Sequence, residues 1–281
     1  MDVTTLILDA TEKLRARCGD RAKFEARLLL GLAIGTQEPV YPHMLVQIEK
    51  KQIDRYYRLI NERIDGKPIS RIRGWKEFWS LSFKLNHATL DPRPESELLV
   101  EKAIWYARSK FLEKNEKLCL LDLGTGSGCL LLSCLHELKH ANGVGVDINK
   151  HAIKQAQENA VLLKLEERSE FFTSNWFEGI RNSRFDIILC NPPYISREDE
   201  TSLPDEVLLF DPEHALFSEK NGLADYKKIF FNLSPHLTTD GIFLLEIGYN
   251  QLEHVLEMVP RSDLRVCDVF QDLRGIPRCL I

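Results

Sequence analysis

At 281 residues, 44% hydrophobic and 28% charged, the chain has an ordinary soluble-globular composition, with room for one large domain or for a small domain beside a standard one. A net charge of −5 and an isoelectric point near 6.0 argue against a partner held mainly through phosphate contacts, which needs a basic surface. Seven cysteines, an odd count with no C-x-x-C pair, argue against a disulfide framework or a zinc site, and with no signal peptide or membrane-length apolar run they point to a reducing cytoplasm.

The first ~65 residues read as helices. Leu6, Ala10 and Leu14 repeat at every fourth position. Asp20 is placed to cap a second helix carrying Phe24, Leu28, Leu29 and Leu32, which stops near Gly35. A third spans 50–65 with Ile53, Tyr57, Ile60 and Ile64 on one face, ended by Gly66 and Pro68. From 72 to 90 the residues favour strands, and Leu81-Ser82-Phe83-Lys84-Leu85 alternates, which predicts a β-hairpin connector. The two prolines of DPRPESE (Asp91 to Glu97) forbid regular pairing, and Glu95 or Ser96 is placed to open the next helix.

Beyond 117 the pattern becomes strand then helix, repeatedly. Strands are expected over 118–123, 143–147, 170–172, 185–190, 241–247, 264–270 and 278–281, and helices over 130–138, 150–163, 225–233 and about 251–258. Apolar strands alternating with amphipathic helices imply an α/β fold with a mostly parallel sheet covered on both faces. Ligands of such sheets bind beyond the C-terminal strand ends, where the strand order reverses.

Two motifs fall at strand ends of that kind. The first is DLGTGSG (Asp122 to Gly128). Gly124, Gly126 and Gly128, with Thr125 and Ser127 between them, allow a tight turn and close backbone approach to a ligand. Asp147 ends the next strand, at the distance where a carboxylate accepts from both hydroxyls of a ribose. The spacing departs from the dinucleotide pattern, because Cys129 stands where its third glycine belongs. Asp122 would suit a cationic group better than a pyrophosphate, and S-adenosylmethionine carries both a sulfonium and an amino group; a turn-stabilising carboxylate is the plainer reading. Trp176 and Phe177 follow the third strand, where a side chain either borders an adenine or packs in the core.

The second motif is Asn191-Pro192-Pro193-Tyr194, after the apolar strand that ends at Cys190. The Asn191 side-chain oxygen and the Pro192 backbone carbonyl are two acceptors close together, able to take the two N–H groups of one NH2. The prolines stiffen the loop and donate no competing N–H. Tyr194 offers an aromatic face to a planar amide or base. With a methyl donor in the glycine turn, this is the chemistry of methyl transfer to an amide or amino nitrogen, driven by alignment and charge stabilisation and needing no strong base. The acceptor is either a side-chain amide or, alternatively, the exocyclic amine of adenine in DNA or RNA; the charge balance and the lack of a basic, aromatic-rich target domain favour the former.

Other residues are weaker candidates. Glu246 is a carboxylate at a strand end near the expected site. Arg93 and Glu95 either border the cofactor or order their loop by pairing. The long loop after Tyr194, with Asp211-Pro212-Glu213 and Gly222-Leu223, either lines a substrate channel or is a surface excursion. The eight histidines show no metal-binding spacing, and no metal is expected.

These stretches together resemble the release-factor glutamine methyltransferases, the protein-(glutamine-N(5)) family. RPESE (Arg93 to Glu97), DLGTGSG, Asp147, NPPYI (Asn191 to Ile195), DPEHALFSEKNGLADY (Asp211 to Tyr226), LEIGYNQ (Leu245 to Gln251) and DLRGIPR (Asp272 to Arg278) follow that family in order and spacing. The resemblance implies a Rossmann-like, seven-stranded methyltransferase sheet over 93–281, an N-terminal helical substrate-recognition domain over 1–71 and a hairpin linker over 72–92. It implies S-adenosylmethionine as cofactor, with S-adenosylhomocysteine as product, bound by Gly124 to Gly128, Asp147, Trp176 and Asn191. It implies that Asn191 to Tyr194 hold the glutamine of a Gly-Gly-Gln tripeptide in peptide chain release factors, that Asn191 and Pro192 are catalytic, and that the N-terminal helices help grip the release factor. A monomer that binds neither membrane nor nucleic acid directly is expected. One position departs from the family pattern: Asn175 stands where an aspartate is usual before the tryptophan, so its oxygen can accept from the adenine amine only without charge.

Overall fold

The computed structural model describes residues 2–44, 46–111, 117–180, 183–259 and 264–281. The chain forms two compact units, Met1–Gly74 with Pro204–Phe210, and Trp75–Leu203 with Asp211–Ile281.

The first unit is helical: α1 (Val3–Cys18), α2 (Ala22–Ile34), α3 (Lys50–Ile64) and α4 (Ile69–Arg73). Asp2 caps α1 by accepting from Thr5 N at 2.8 Å, and Leu6, Ala10 and Leu14 are all buried. Asp20 does not cap α2; it lies in a 3₁₀ turn, Gly19–Arg21, that leads directly into the helix. Phe24 is also off the expected face, at 49% exposure. The buried stripe of α2 runs through Ala22, Ala26, Leu29, Leu30 and Ala33, since small alanines let the helices approach closely. On α3, Ile60 is buried but Ile64 is exposed, and Tyr56 is fully buried with its hydroxyl donating to Ala26 O at 3.0 Å. Arg63 is buried between Glu25 (2.7 Å) and Glu206 (3.4 Å), which ties Pro204–Phe210 into this unit.

The second unit begins with a hairpin, β1 (Trp75–Phe78) and β2 (Leu81–Lys84), narrower than 72–90. Its two turn residues, Trp79 and Ser80, both have positive φ (53° and 56°), the backbone that matches strand twist in a two-residue loop. α5 (Glu97–Phe111) follows a 3₁₀ turn, Pro94–Ser96. Then come β3 (Leu118–Leu123), α6 (Cys129–Glu137), β4 (Ala141–Asp147), α7 (Lys150–Leu162), β5 (Ser169–Thr173) and β6 (Phe185–Cys190). The chain next makes three short helical turns, α8 (Asp205–Phe210), which belongs to the first unit, α9 (Glu213–Leu216) and α10 (Glu219–Gly222), in which Lys220 and Asn221 are left-handed. It closes with α11 (Ala224–Leu233), β7 (Leu237–Glu246), α12 (Leu252–Leu256), β8 (Val269–Gln271) and β9 (Pro277–Leu280).

Seven strands form one sheet in the order β5-β4-β3-β6-β7-β9-β8. The first five are parallel and β9 runs antiparallel to both its neighbours. Alternate residues feed opposite faces. Leu120, Ile187, Leu189 and Leu244 pack with α5, α6 and α7, whereas Leu121, Ile188, Phe243 and Leu245 pack with α11 and α12. Each fully buried leucine stabilises the fold by about 1.5–3 kcal/mol. The strand expected over 264–270 is shorter and shifted, Val269–Gln271; Asp268 continues its register by exchanging both backbone bonds with Ile281 (3.2 and 2.9 Å), and Cys267 N also donates to Ile281 O (2.6 Å). The strand order reverses between β3 and β6, so the crevice at their C-terminal ends is the expected ligand position.

Candidate active site

Register brings the motifs together. Leu123 of β3 pairs with Val146 of β4 and with Cys190 of β6, and Cys190 pairs with Leu245 of β7. The next residue along each strand is Asp147, Gly124, Asn191 and Glu246. Four chemically distinct groups therefore stand in one row across the sheet edge.

The glycine turn is built from backbone. Gly124, Gly126 and Gly128 all have positive φ (71°, 55° and 81°), which a side chain would strain. Thr125 N donates to Val146 O (2.8 Å), and Gly126 N donates to Asp147 Oδ2 (2.9 Å). Asp147 Oδ1 accepts from Asn149 N (2.8 Å), so each carboxylate oxygen keeps one lone pair for a ligand. Burial raises the Asp147 pKa, while those two backbone N–H groups favour its charged form. Asp122 is fully buried, and its Oδ2 accepts from Thr125 Oγ1 (2.6 Å); it lies behind the turn and not on the cavity, the place of a turn-stabilising carboxylate. Burial pushes its pKa up to about 7.

A cavity of about 350 Å³ opens beside the turn. Gly124, Thr125, Gly126, Ser127, Asp147, Trp176, Asn191 and Pro193 line it; Gly128, Pro192 and Tyr194 do not. Gly128 instead gives its space to Leu132 and Ala156, which a Cβ would meet at 3.0 and 3.3 Å. Trp176 adopts a left-handed backbone (φ 48°), braced by Ser174 Oγ donating to its carbonyl at 2.8 Å. Its ring is 3.5 Å from where a Gly124 Cβ would sit, and its Nε1 donates to Asp225 Oδ1 at 3.3 Å. Phe177 is core, stacked on His236. Asn175 lines the cavity with its NH2 donating to Glu178 Oε1 (2.7 Å), which leaves its oxygen as the acceptor.

The segment after Tyr194 forms one wall. Ile195 and Phe217 share a parallel bridge, and Ser218 Oγ donates to Asp225 Oδ2 at 2.6 Å. Asp225 thus holds both Trp176 and Ser218. Arg93 pairs with Asp211 and lines the cavity, while Glu95 pairs with Arg274 at 3.2 Å. Gly222 has φ 79°, and a Cβ there would meet Tyr194 O at 2.1 Å, so this wall closes on the tetrad only with glycine.

The tetrad is braced from behind. Asn191 Nδ2 donates to Ser96 Oγ (3.1 Å), Ser96 Oγ donates to Glu246 Oε2 (2.6 Å), and Tyr194 OH donates to Glu246 Oε1 (3.2 Å). Gln251 Nε2 donates to Tyr194 O (2.8 Å). Glu246 is buried, and desolvation raises its pKa against these bonds and the nearby Arg278. Sequence reasoning missed Ser96 as a site residue, and also Asp225 and Gln251. Ser96 carried one usable signal, its place beside Arg93 and Glu95 in a proline-fixed loop. Among the described residues no group of three or more His, Cys, Asp or Glu is placed to hold a metal ion.

A glycine turn and a strand-end carboxylate on a reversed-order, seven-stranded sheet define a Rossmann-like methyltransferase. The family model for the methyltransferase small domain matches residues 108–218. The fold is shared with a solved methyltransferase from Pyrococcus furiosus, 16% identical, covering 81% of this chain and 96% of that one, with a TM-score of 0.53. A release factor glutamine methyltransferase of Buchnera aphidicola subsp. Schizaphis graminum is 34% identical, covering 99% of this chain and 98% of the relative. The chain belongs to the release factor glutamine methyltransferase family. It also matches a bifunctional methyltransferase of Rickettsia typhi, 31% identical over 99% of the chain, and spans 56% of that relative's length.

The residues fit S-adenosylmethionine. The cradle at Gly124 is one that a Cβ would fill against Trp176. Asp147 keeps lone pairs for ribose hydroxyls, and the cavity falls in the size range of small-ligand sites.

Proposed function

We propose that the protein transfers a methyl group from S-adenosylmethionine to the side-chain nitrogen of the glutamine in the Gly-Gly-Gln tripeptide of peptide chain release factors, in the cytoplasm. The observation that carries this reading is the register pair Leu123–Cys190, which sets the glycine turn and Asn191 side by side on one cavity. Gly124 to Ser127, Asp147, Asn175 and Trp176 are the residues assigned to hold the cofactor, which supplies an electrophilic methyl carbon when bound.

The chain's own work is positional. Asn191 Oδ1 and the Pro192 carbonyl accept the two N–H groups of the substrate amide, while Pro193 and Tyr194 shape the slot. An amide nitrogen is a poor nucleophile, because its lone pair is delocalised. Two acceptors push electron density onto it and strengthen as positive charge develops. Fixing the nitrogen in line with the reacting carbon removes much of the orientational cost. The proton that the nitrogen sheds passes to water. The helical unit is assigned the grip on the release factor.

The test is incubation with radiolabelled S-adenosylmethionine and a release factor, beside its Gly-Gly-Gln→Gly-Gly-Ala variant and an adenine-containing oligonucleotide. Label on the native factor alone is expected. Label persisting on the alanine variant, or entering only the oligonucleotide, overturns the proposal.

A further inference from the structure

We propose that Ser96 and Glu246 are positioning residues whose hydrogen-bond polarity dictates which end of the Asn191 amide meets the substrate. A hydroxyl has one hydrogen. Ser96 Oγ lies 2.6 Å from Glu246 Oε2 and 3.1 Å from Asn191 Nδ2. An ionised carboxylate only accepts, so the Ser96 hydrogen goes to Glu246 and Ser96 meets Asn191 as an acceptor. The Asn191 amide must then turn its NH2 towards Ser96. Its oxygen is left for the cavity that Asn191 lines. Tyr194 OH donates to the other Glu246 oxygen at 3.2 Å, so both ends of the carboxylate receive protons and return none.

The burial of the relay makes the polarity binding. Glu246 is 2% exposed and lies off the cavity, and Ser96, which lines it, is only 3% exposed, so water has little room at the Ser96–Glu246 bond to supply a substitute hydrogen. Without Ser96 the two ends of the Asn191 amide are nearly the same shape and nothing sets their order. With it, the cavity presents an oxygen, which welcomes the NH2 of glutamine and repels a carboxylate. The three groups come from separate elements, the Pro94–Ser96 turn and the ends of β6 and β7, so one network also fixes the height of the tetrad.

This inference rests on the proposed function for its substrate but not for its geometry, and the experiment separates the two. Full-length protein is labelled with ¹⁵N, and the Asn191 side-chain NH2 pair is assigned by its loss in Asn191→Asp. Hydrogen exchange of that pair should be at least about 10-fold faster in Ser96→Ala than in the native protein, and near native in Ser96→Thr, which keeps the hydroxyl. In parallel, kcat on the methylated acceptor should fall at least about 10-fold in Ser96→Ala, by less in Glu246→Gln, which retains one acceptor, and little in Ser96→Thr. The dissociation constant for S-adenosylhomocysteine should stay within about 2-fold throughout. Native exchange rates in Ser96→Ala overturn the relay, as does equal loss of kcat in Ser96→Ala and Ser96→Thr, or a kcat loss matched by loss of cofactor affinity. If the native enzyme methylates no release factor, the substrate assignment fails while the exchange measurement still decides the relay.

Discussion

The glycine turn and the Asn-Pro-Pro-Tyr loop leave the ends of adjacent strands, yet they are built on opposite principles. The turn is local and made of backbone: three positive-φ glycines, and N–H groups bonded to the neighbouring strand and to Asp147. Its N–H bonds reach no further than β4, and a single distant side chain reinforces it, Asn159 of α7 donating to Ser127 O at 2.9 Å. The loop holds its shape through side chains drawn from afar, with Ser96, Glu246 and Gln251 all converging on it. A site that binds a cofactor can rely on a rigid backbone nest. One that must present a particular acceptor to a reacting nitrogen needs side chains of fixed polarity.

The sharpest break in this comparison is Asn191→Ala. It removes the acceptor proposed for the reacting nitrogen and leaves the turn untouched, so kcat should fall at least about 100-fold, with a much smaller loss of cofactor affinity from the cavity wall that Asn191 also lines. Single-turnover assays with a release factor, beside cofactor titration, read both. A near-normal rate would remove Asn191 from the chemistry.

How much of this was legible in the sequence follows the same division. The turn could be read because its signature is contiguous and the partner carboxylate lies one strand away. The tetrad could be read as a motif, but its supports could not. Ser96 is 95 residues from Asn191 and 150 from Glu246, and no periodicity encodes such pairings. The strands 118–123 and 185–190 were legible to the residue, being short, mostly apolar runs bounded by Lys117 and Gly124 and by Arg184 and Asn191. Phe24 was misplaced because a hydrophobic pattern weighs bulk, whereas α2 packs on its alanines. That part of the loop after Tyr194 joins the helical unit through Glu206 was invisible, since it depends on a buried arginine far upstream.

The carboxylates of the turn sharpen the comparison further. Asp122 has a folded pKa of about 7 against an ordinary value of 3.8, raised by burial, with Oδ1 lacking a hydrogen-bond partner among the described residues. A raised folded pKa contributes stability that is present below the unfolded value and is lost as pH rises through about 7. Asp122→Asn keeps an acceptor for Thr125 and never ionises. It should therefore be more stable than the native protein at pH 8, by about 1–2 kcal/mol after allowance for its own buried NH2, and no more stable at pH 5. Denaturant melts at the two pH values would show it; an equal difference at both would mean that Asp122 does not titrate in this range. Asp147→Asn turns an NH2 on one of two backbone donors, Gly126 N or Asn149 N, so cofactor affinity should weaken about 10-fold while kcat at saturation holds.

The smallest effect is expected at Asn175, where the two designs meet. Its NH2 is tied to Glu178 at 2.7 Å, which turns its oxygen free as an acceptor, a miniature of the arrangement at Asn191. Asn175→Asp would add charge to that acceptor, in line with the aspartate usual in the family. It would also set two carboxylates against each other and lose the bond that orients the group. On this exposed pair the opposing terms are each below about 1 kcal/mol, so cofactor affinity should change by less than about 3-fold. Calorimetric titration of Asn175→Asp, and of Asn175→Asp with Glu178→Gln, separates them: the double variant, freed of the repulsion, should bind more tightly than the single one.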